Sequence, residues 1–275
     1  MRTRLSFAVA TACGVFLLGL MTSPAHAQYG ARPASTTPPG EDYHVEIAGG
    51  FWNPTPDIVI SSEALGRVGS EIDFVNDLGL TKKQFGDLRI VLRPTKKSKF
   101  RIGYTPVKYT QSATLTRSIE FNAQRFDISL PVDSELEWKQ WRFGYEYDFV
   151  YNDKGYAGLI LDVKYTDVTA TLSNRLVGTE FTHAKAPIPA IGGVGRVYVH
   201  PSVSITFELT ALKVPTIQEK YEATFIDWDL NSTFNINRNL GAQVGYRSLG
   251  VNYLFDKDTG DMTLRGLYFG GVARF

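Results

Sequence analysis

From Trp141 to Phe149 every second residue carries an aromatic ring: Trp141, Phe143, Tyr145, Tyr147 and Phe149 alternate with Arg142, Gly144, Glu146 and Asp148, and Gln140 precedes them. Successive side chains of a strand point to opposite faces, so this segment has one face of rings and one of charge and glycine. A soluble sheet rarely stacks an unbroken row of rings opposite a polar row. A strand with one face in lipid does so ordinarily, its rings gathered toward the membrane interfaces. In hydrocarbon a strand satisfies its backbone only by pairing on both edges, so a chain built of such segments has to close on itself.

The same alternation recurs along the chain. Residues 43 to 52 set Val45, Ile47, Gly49 and Phe51 against His44, Glu46, Ala48 and Gly50. Residues 87 to 93 set Leu88, Ile90 and Leu92 against Arg89, Val91 and Arg93, and residues 99 to 110 set Phe100, Ile102, Tyr104 and Pro106 against Arg101, Gly103 and Thr105. After the aromatic segment, Ala157, Leu159, Leu161, Val163 and Tyr165 oppose Gly158, Ile160, Asp162, Lys164 and Thr166. Residues 188 to 199 are glycine-rich and less decisive, with Ile191, Val197 and Val199 outward and Arg196 and Tyr198 inward.

The final third repeats the pattern. Val203 to Ala211 alternate with Ser202, Ser204, Thr206, Glu208 and Thr210; Ile226, Trp228, Leu230, Phe234 and Ile236 oppose Asp227, Asp229, Asn231, Thr233 and Asn235. Leu240, Ala242, Val244 and Tyr246 oppose Gly241, Gln243, Gly245 and Arg247, after which the apolar phase moves to Leu249, Val251, Tyr253 and Phe255, as a β-bulge near Gly250 would cause. The last segment sets Phe275, Ala273, Gly271, Phe269 and Leu267 against Arg274, Val272, Gly270, Tyr268 and Gly266.

These segments predict an all-β fold, a closed antiparallel up-and-down transmembrane barrel of about ten strands over residues 43–275, with eight or twelve as alternatives. Short turns (94–98, 151–155, 200–201, 237–239) alternate with longer connections (53–86, 111–134, 173–187, 212–220, 256–260), as periplasmic turns and external loops do. Residues 57–62 and 115–130 would supply the extra strands of a twelve-strand barrel, but Arg117, Glu120 and Arg125 suit an extension above the membrane better. The 53–86 connection exceeds the length at which structureless loops become uncommon. Its Ile58-Val59-Ile60 and Ile72, Phe74, Val75, Leu78 and Leu80 need burial: as a plug or lid over the mouth, or by lengthening the first strand and packing on other loops.

Arg2 and Arg4 precede an apolar run to about Met21 and then Ala25-His26-Ala27, the pattern of a cleaved signal peptide over residues 1–27. Residues 28–42, rich in Pro, Gly, Ser and Thr, read as a flexible periplasmic leader. The chain has 29 Lys+Arg and 28 Asp+Glu. Losing the two signal arginines brings the mature net charge to about −1, which argues against nucleic acid as a partner. Cys13, the single cysteine, leaves with the signal, so neither disulfides nor thiolate metal sites are expected. No cofactor or metal motif appears; Asp256 to Asp261 resembles a calcium loop, but its glycine falls one place early and the twelfth-position Glu is missing, so a hairpin turn is expected.

The inward faces collect Glu46, Arg89, Arg101, Arg142, Glu146, Asp162, Lys164, Arg196, Glu208, Asp227, Asp229 and Arg247, together with Arg93, Asp148 and Arg274. Nearly balanced in sign, they read either as an ion-pair network that holds the barrel together or as a polar path for a small solute. A barrel of about ten strands is too narrow for a general diffusion pore, which takes ~16–18 strands.

The signal peptide, the alternating segments and the terminal Gly270-Gly271-Val272-Ala273-Arg274-Phe275 together resemble the small bacterial outer-membrane β-barrels, the porin-like group that includes OmpA-type and OmpW-type proteins. The resemblance implies an outer-membrane location among lipid and lipopolysaccharide, insertion by the barrel assembly machinery through a C-terminal signal carried by Phe269 and Phe275, and a monomer that is structural or a narrow conduit for a small solute, without enzymatic activity. The alternative is an outer-membrane enzyme, an omptin-like protease or a lipid A-modifying hydrolase. Such enzymes use a histidine with acidic residues or a serine at the external rim. Here His44 and His200 fall at the periplasmic end, and His183 is the external histidine, within reach of Asp227 or Asp229 only if an external loop carries it there.

Overall fold

The computed structural model describes residues 39–61, 69–129, 131–217, 221–255 and 258–275. Residues 1–27, expected to be a signal peptide, and residues 28–38 of the expected leader lie outside these described residues. A short 3-10 turn, Pro39–Glu41, precedes thirteen strands: β1 (Val45–Ser61), β2 (Ile72–Asp73), β3 (Phe85–Leu92), β4 (Ser98–Thr114), β5 (Ile119–Phe121), β6 (Gln124–Phe126), β7 (Pro131–Asn152), β8 (Gly155–Asn174), β9 (Gly178–His200), β10 (Val203–Ile217), β11 (Tyr221–Asn235), β12 (Leu240–Phe255) and β13 (Asp258–Arg274).

β1, β3, β4 and β7 to β13 pair antiparallel with their sequence neighbours, and β13 returns to β1 from Glu46↔Arg274 to Ser61↔Thr259, closing a ring of ten strands. The two-residue β2 is a side branch on β1, and β5–β6 is a separate hairpin. Residues 57–61 are thus the upper part of β1, and 115–129 add no membrane strands, while 62 and 130 lie outside the described residues. The seam is packed through glycine: a Cβ on Gly50 would overlap the Phe269 carbonyl, and one on Gly270 the Gly49 carbonyl.

The strands are longer than a membrane requires. β7, β8 and β9 run 22, 20 and 23 residues, against the ~9–11 a tilted strand needs to cross. Their two halves have opposite polarity. In the lower half charge points in and Phe51, Phe100, Phe143, Leu159, Phe207 and Phe269 point out. In the upper half Trp52, Ile58, Ile60, Val132, Leu136 and Trp138 point in and are buried, while Asp57, Glu135 and Lys139 point out. The lower half is inside-out for lipid; the upper half is an ordinary water-facing protein.

The boundary between them is a ring of aromatics. Tyr104 and Trp141 lie 4.3 Å apart, Tyr165 is the register partner of Trp141, and Trp228 stacks on Tyr246 at 5.5 Å. From Trp141 down to Phe149, at ~3.3 Å per residue and ~40° tilt, the apolar belt is roughly 20 Å tall, close to the height such barrels present to lipid.

This inversion explains where the sequence reading departs from the structure. Residues 173–187 and 212–220 look like loop because their polar residues occupy the outward phase, yet, apart from a turn at 175–177, residues 173–187 and 212–217 continue β8, β9 and β10 above the membrane, and 218–220 lie outside the described residues. The expected bulge near Gly250 is absent: β12 pairs in unbroken register with β11 and β13. Leu249 follows Arg247 on the inward face, and it is the barrel interior that turns apolar at that height. Register shifts occur instead at Asp148/Val150, Val203/Ser204 and Val214/Ile217.

Candidate functional site: a filled lumen

Three layers occupy the barrel interior. At the periplasmic mouth, Glu41 turns into the lumen, where Arg93 Nη1 meets its Oε2 at 3.1 Å, and Arg196 Nη1 and the Tyr198 hydroxyl donate to its Oε1 at 2.9 and 3.0 Å. Glu41, near the end of the segment read as a leader, is therefore docked in the lumen, while the Asp42 side chain beside it is 60% exposed. Gly40 permits the docking, since a Cβ there would stand 2.7 Å from the Tyr198 hydroxyl oxygen. Beside it Arg274 binds Glu46 at 2.5 Å and donates to Asn235 Oδ1 at 2.7 Å.

The second layer is one alternating chain of charges. It starts at Asp148, joined through Lys99 (2.9 Å) to Glu146 (2.6 Å), and runs on to Arg101 (2.5 Å), Glu208 (2.5 Å), Arg142 (2.5 Å) and Asp162 (2.7 Å). Lys164 lies 4.0 Å from Asp162 and 2.6 Å from Asp227, which Arg247 reaches at 3.0 Å. Arg247 continues to Asp87 (3.3 Å), Asp87 to Arg89 (2.7 Å), and Arg89 to Asp229 (3.2 Å), where the Tyr268 hydroxyl donates at 2.8 Å. The Arg101–Glu208, Arg247–Asp87 and Arg89–Asp229 pairs join strands that are not neighbours in the wall, so the chain crosses the lumen and ties opposite sides together. Isolated, any of these buried ions would be strongly unfavourable; alternation gives each an opposite charge.

All twelve lumen residues read from the sequence point inward and take part in these two layers. The reading missed Asp87, Lys99 and Glu41. Asp87 shares the phase of Arg89, and Lys99 that of Arg101, so alternation carried both. Glu41 precedes the first strand, where no periodicity exists to report it. Phe269 and Phe275 lie on the outer face, 51% and 54% exposed. The carbonyl of Phe275 accepts from the His44 and Val45 amides at 2.7 and 2.9 Å.

The third layer is apolar. Inward Trp52, Phe85, Tyr109, Leu136, Trp138, Phe225 and Leu249 form a core with Ile72, Phe74, Leu78 and Leu80 from the first external connection, and with Ile119, Phe121 and Phe126 of the β5–β6 hairpin. The first connection therefore both lengthens β1 and caps the mouth. Asp73 Oδ1 accepts the Val75 and Asn76 amides, each at 2.9 Å, turning the chain, and Gly79 supplies a left-handed residue (φ 69°) at the exit. Below the cap, the space left among the charges is a cavity of about 70 Å³, room for a few waters at ~30 Å³ each.

Arg117 clasps the cap, donating to Asp77 Oδ1 at 2.9 Å and Oδ2 at 2.6 Å, and to the Glu71 carbonyl. The hydrogen bonds from Arg117 hold the Asp77 carboxyl below the ordinary carboxylate range. A carboxyl lowered on folding stabilises above its unfolded pKa, ~3.9, and that contribution fades as pH falls below it. The protection of the 71–80 amides, taken relative to their intrinsic exchange rates at each pH, is expected to fall below about pH 4 in the native protein, and Asp77→Asn to show reduced protection already at pH 7. Equal exchange in the two proteins at pH 7 would refute the clasp.

His183 lies on the outer wall, its Nε2 2.8 Å from Asp167 Oδ1, while Asp227 and Asp229 are inside the barrel. The wall separates them, so the suggested approach of this histidine to the lumen aspartates does not occur. His44 contacts the Arg93 carbonyl at 3.3 Å and His200 accepts the Ser202 amide at 3.2 Å, both at the periplasmic end. Among the described residues no cluster of His, Cys, Asp and Glu is suited to hold a metal.

A closed antiparallel ring with an apolar belt, aromatic girdle and charged interior defines an integral β-barrel of the bacterial outer-membrane type. Comparison with solved structures gives the same fold. The outer-membrane protease OmpT of Escherichia coli aligns over 86% of this chain and 97% of its own, at 9% identity and a TM-score of 0.59. Looser matches include Ail, the attachment invasion locus protein of Yersinia pestis (9% identity, 84% and 99% covered, TM-score 0.38), and the Pseudomonas putida toluene transporter TodX (11%, 90% and 95%, 0.36). No protein-family model and no curated protein sequence matches the chain.

Proposed function

We propose that the protein is a monomeric, non-enzymatic and non-conducting barrel, structural in the outer membrane, whose working surface is its exterior. One observation carries this reading: a continuous chain of ion pairs crosses the lumen and an apolar cap seals it, leaving about 70 Å³. The narrow-conduit alternative needs a connected aqueous path, and the crossing ion pairs and the apolar cap both speak against one. The non-enzymatic part rests on the outward, Asp167-bound His183 and on lumen carboxylates already engaged by Arg and Lys. In the same proposal the barrel assembly machinery reads Phe275 and Phe269 from the lipid face.

Planar-bilayer recording of protein proven folded by heat-modifiability on a gel is the test. The expected trace is silent at moderate voltage. Reproducible unitary steps from the folded, unmodified protein would overturn the closed-barrel reading in favour of a conduit.

A further inference from the structure

The barrel ladder starts at His44, whose amide donates to the Phe275 carbonyl and whose carbonyl accepts the Arg93 amide, both at 2.7 Å. Glu41 precedes that ladder and is held by side chains of the wall. Arg93 Nη1 donates both to the Glu41 main-chain carbonyl at 2.6 Å and to its side-chain Oε2 at 3.1 Å. Arg196 and Tyr198 donate to Oε1 at 2.9 and 3.0 Å. Arg93 stands in the β3–β4 turn and the other two on β9, so the barrel makes the seat and a segment outside its wall occupies it. The Arg93 guanidinium lies over the Tyr43 and Tyr151 rings, each at 5.1 Å, and that of Arg196 over Tyr156 at 5.3 Å, which keeps both forks aimed at the carboxylate.

The seat also reads the residue before the glutamate. A Cβ on Gly40 would stand 2.7 Å from the Tyr198 hydroxyl oxygen and 2.8 Å from Asn235 Nδ2, too near for any side chain. Neither neighbour is free to give way, because Tyr198 is bonded to Glu41 and Asn235 Oδ1 accepts from Arg274 at 2.7 Å. Nor does the resident saturate the seat. Arg93 Nε and Asn235 Nδ2 are buried without a hydrogen-bond partner among the described residues, a cost that the docked Glu41 leaves in place. On the outer side the hold is weak: Asp42 reaches Arg238 at 3.8 Å, with both side chains exposed.

We propose that the periplasmic mouth is a binding site for an acidic peptide carrying Gly-Glu, and that Gly40-Glu41 is its tethered, exchangeable occupant. Two guanidiniums and a phenol supply the charge and the donors that a glutamate carboxylate takes up. The Arg93 bond to the main-chain carbonyl distinguishes a peptide from a free acid, and the Tyr198–Asn235 floor admits glycine. A peptide arriving from the periplasm competes through the same contacts, against a resident favoured by its tether. The seat lies at the periplasmic end of the lumen, so the inference is independent of whether the lumen conducts.

The test is binding of fluorescein-labelled Pro-Gly-Glu-Asp-Tyr to the folded protein in detergent, read by fluorescence polarisation, with folding checked by heat-modifiability. Glu41→Ala removes the resident carboxylate without altering the wall, and this variant is expected to bind the peptide about tenfold more tightly than the native protein does. Peptides with alanine in place of the glycine, or glutamine in place of the glutamate, should bind the variant about tenfold more weakly, as should the original peptide to Glu41→Ala/Arg196→Gln. Hydrogen exchange of the native protein reads the exchange of occupant without any substitution. The amides of residues 40 and 41 should lose protection as peptide is added at constant pH and salt, while those of β1 keep theirs. Failure of folded Glu41→Ala to bind, or equal binding of the three peptides, would overturn the inference. So would unchanged native protection at about a hundred times the peptide concentration that half-saturates the variant.

Discussion

Asp227→Asn is expected to destabilise the barrel by ~3–5 kcal/mol, the usual result of leaving buried charge without its partner. The carboxylate holds both Lys164 (2.6 Å) and Arg247 (3.0 Å), and all three side chains are almost fully buried. An amide leaves two cations facing each other across the site. Arg247 keeps Asp87 at 3.3 Å, but Lys164 keeps only Asp162, at 4.0 Å, and the Thr210 hydroxyl. The double variant Lys164→Met/Asp227→Asn removes the stranded cation and is expected to recover part of the loss. Urea unfolding in lipid vesicles, followed by tryptophan fluorescence, measures both. A double variant less stable than Asp227→Asn alone would show that the charge chain is not the unit of stability.

Phe74→Ala is expected to release the external cap while the barrel stays closed around its charges. The ring is completely buried among wall and hairpin residues, and its loss costs ~3–5 kcal/mol by transfer and cavity effects. That amount falls on a segment held by two side-chain clusters, not on the ten-strand ladder, so local opening should precede global unfolding. Protease added outside proteoliposomes should cut between residues 69 and 84 in the variant and leave the native protein intact, with the heat-modifiable band retained in both. Equal protection would mean that the cap is held by something other than its apolar side chains. Because the ion-pair layer lies beneath, cap release alone is expected to leave bilayer recordings silent.

How much of this was legible in the sequence differs by layer. The aromatic row from Trp141 to Phe149 and the terminal strand to Phe275 specify the lipid half of the wall, because alternation is a local property of a strand and survives without knowledge of its neighbours. The same phase placed Glu208, Asp227 and Arg247 inside. It was silent about Glu41, which sits outside any strand, and about the segments 173–187 and 212–217, whose pattern continues with polarity exchanged.

The sequence by itself determined a closed barrel, the face each strand turns to lipid, and the sign balance of the interior. Only the tertiary structure decided which charges meet, that the interior changes from ionic to apolar at the girdle, and that both mouths are filled. The physical reason is distance along the chain: Arg101 and Glu208, or Asp87 and Arg247, become partners only when ring closure brings remote strands across a narrow lumen. The cap likewise exists because Phe74 and Phe121, far apart in sequence, find one common place away from water.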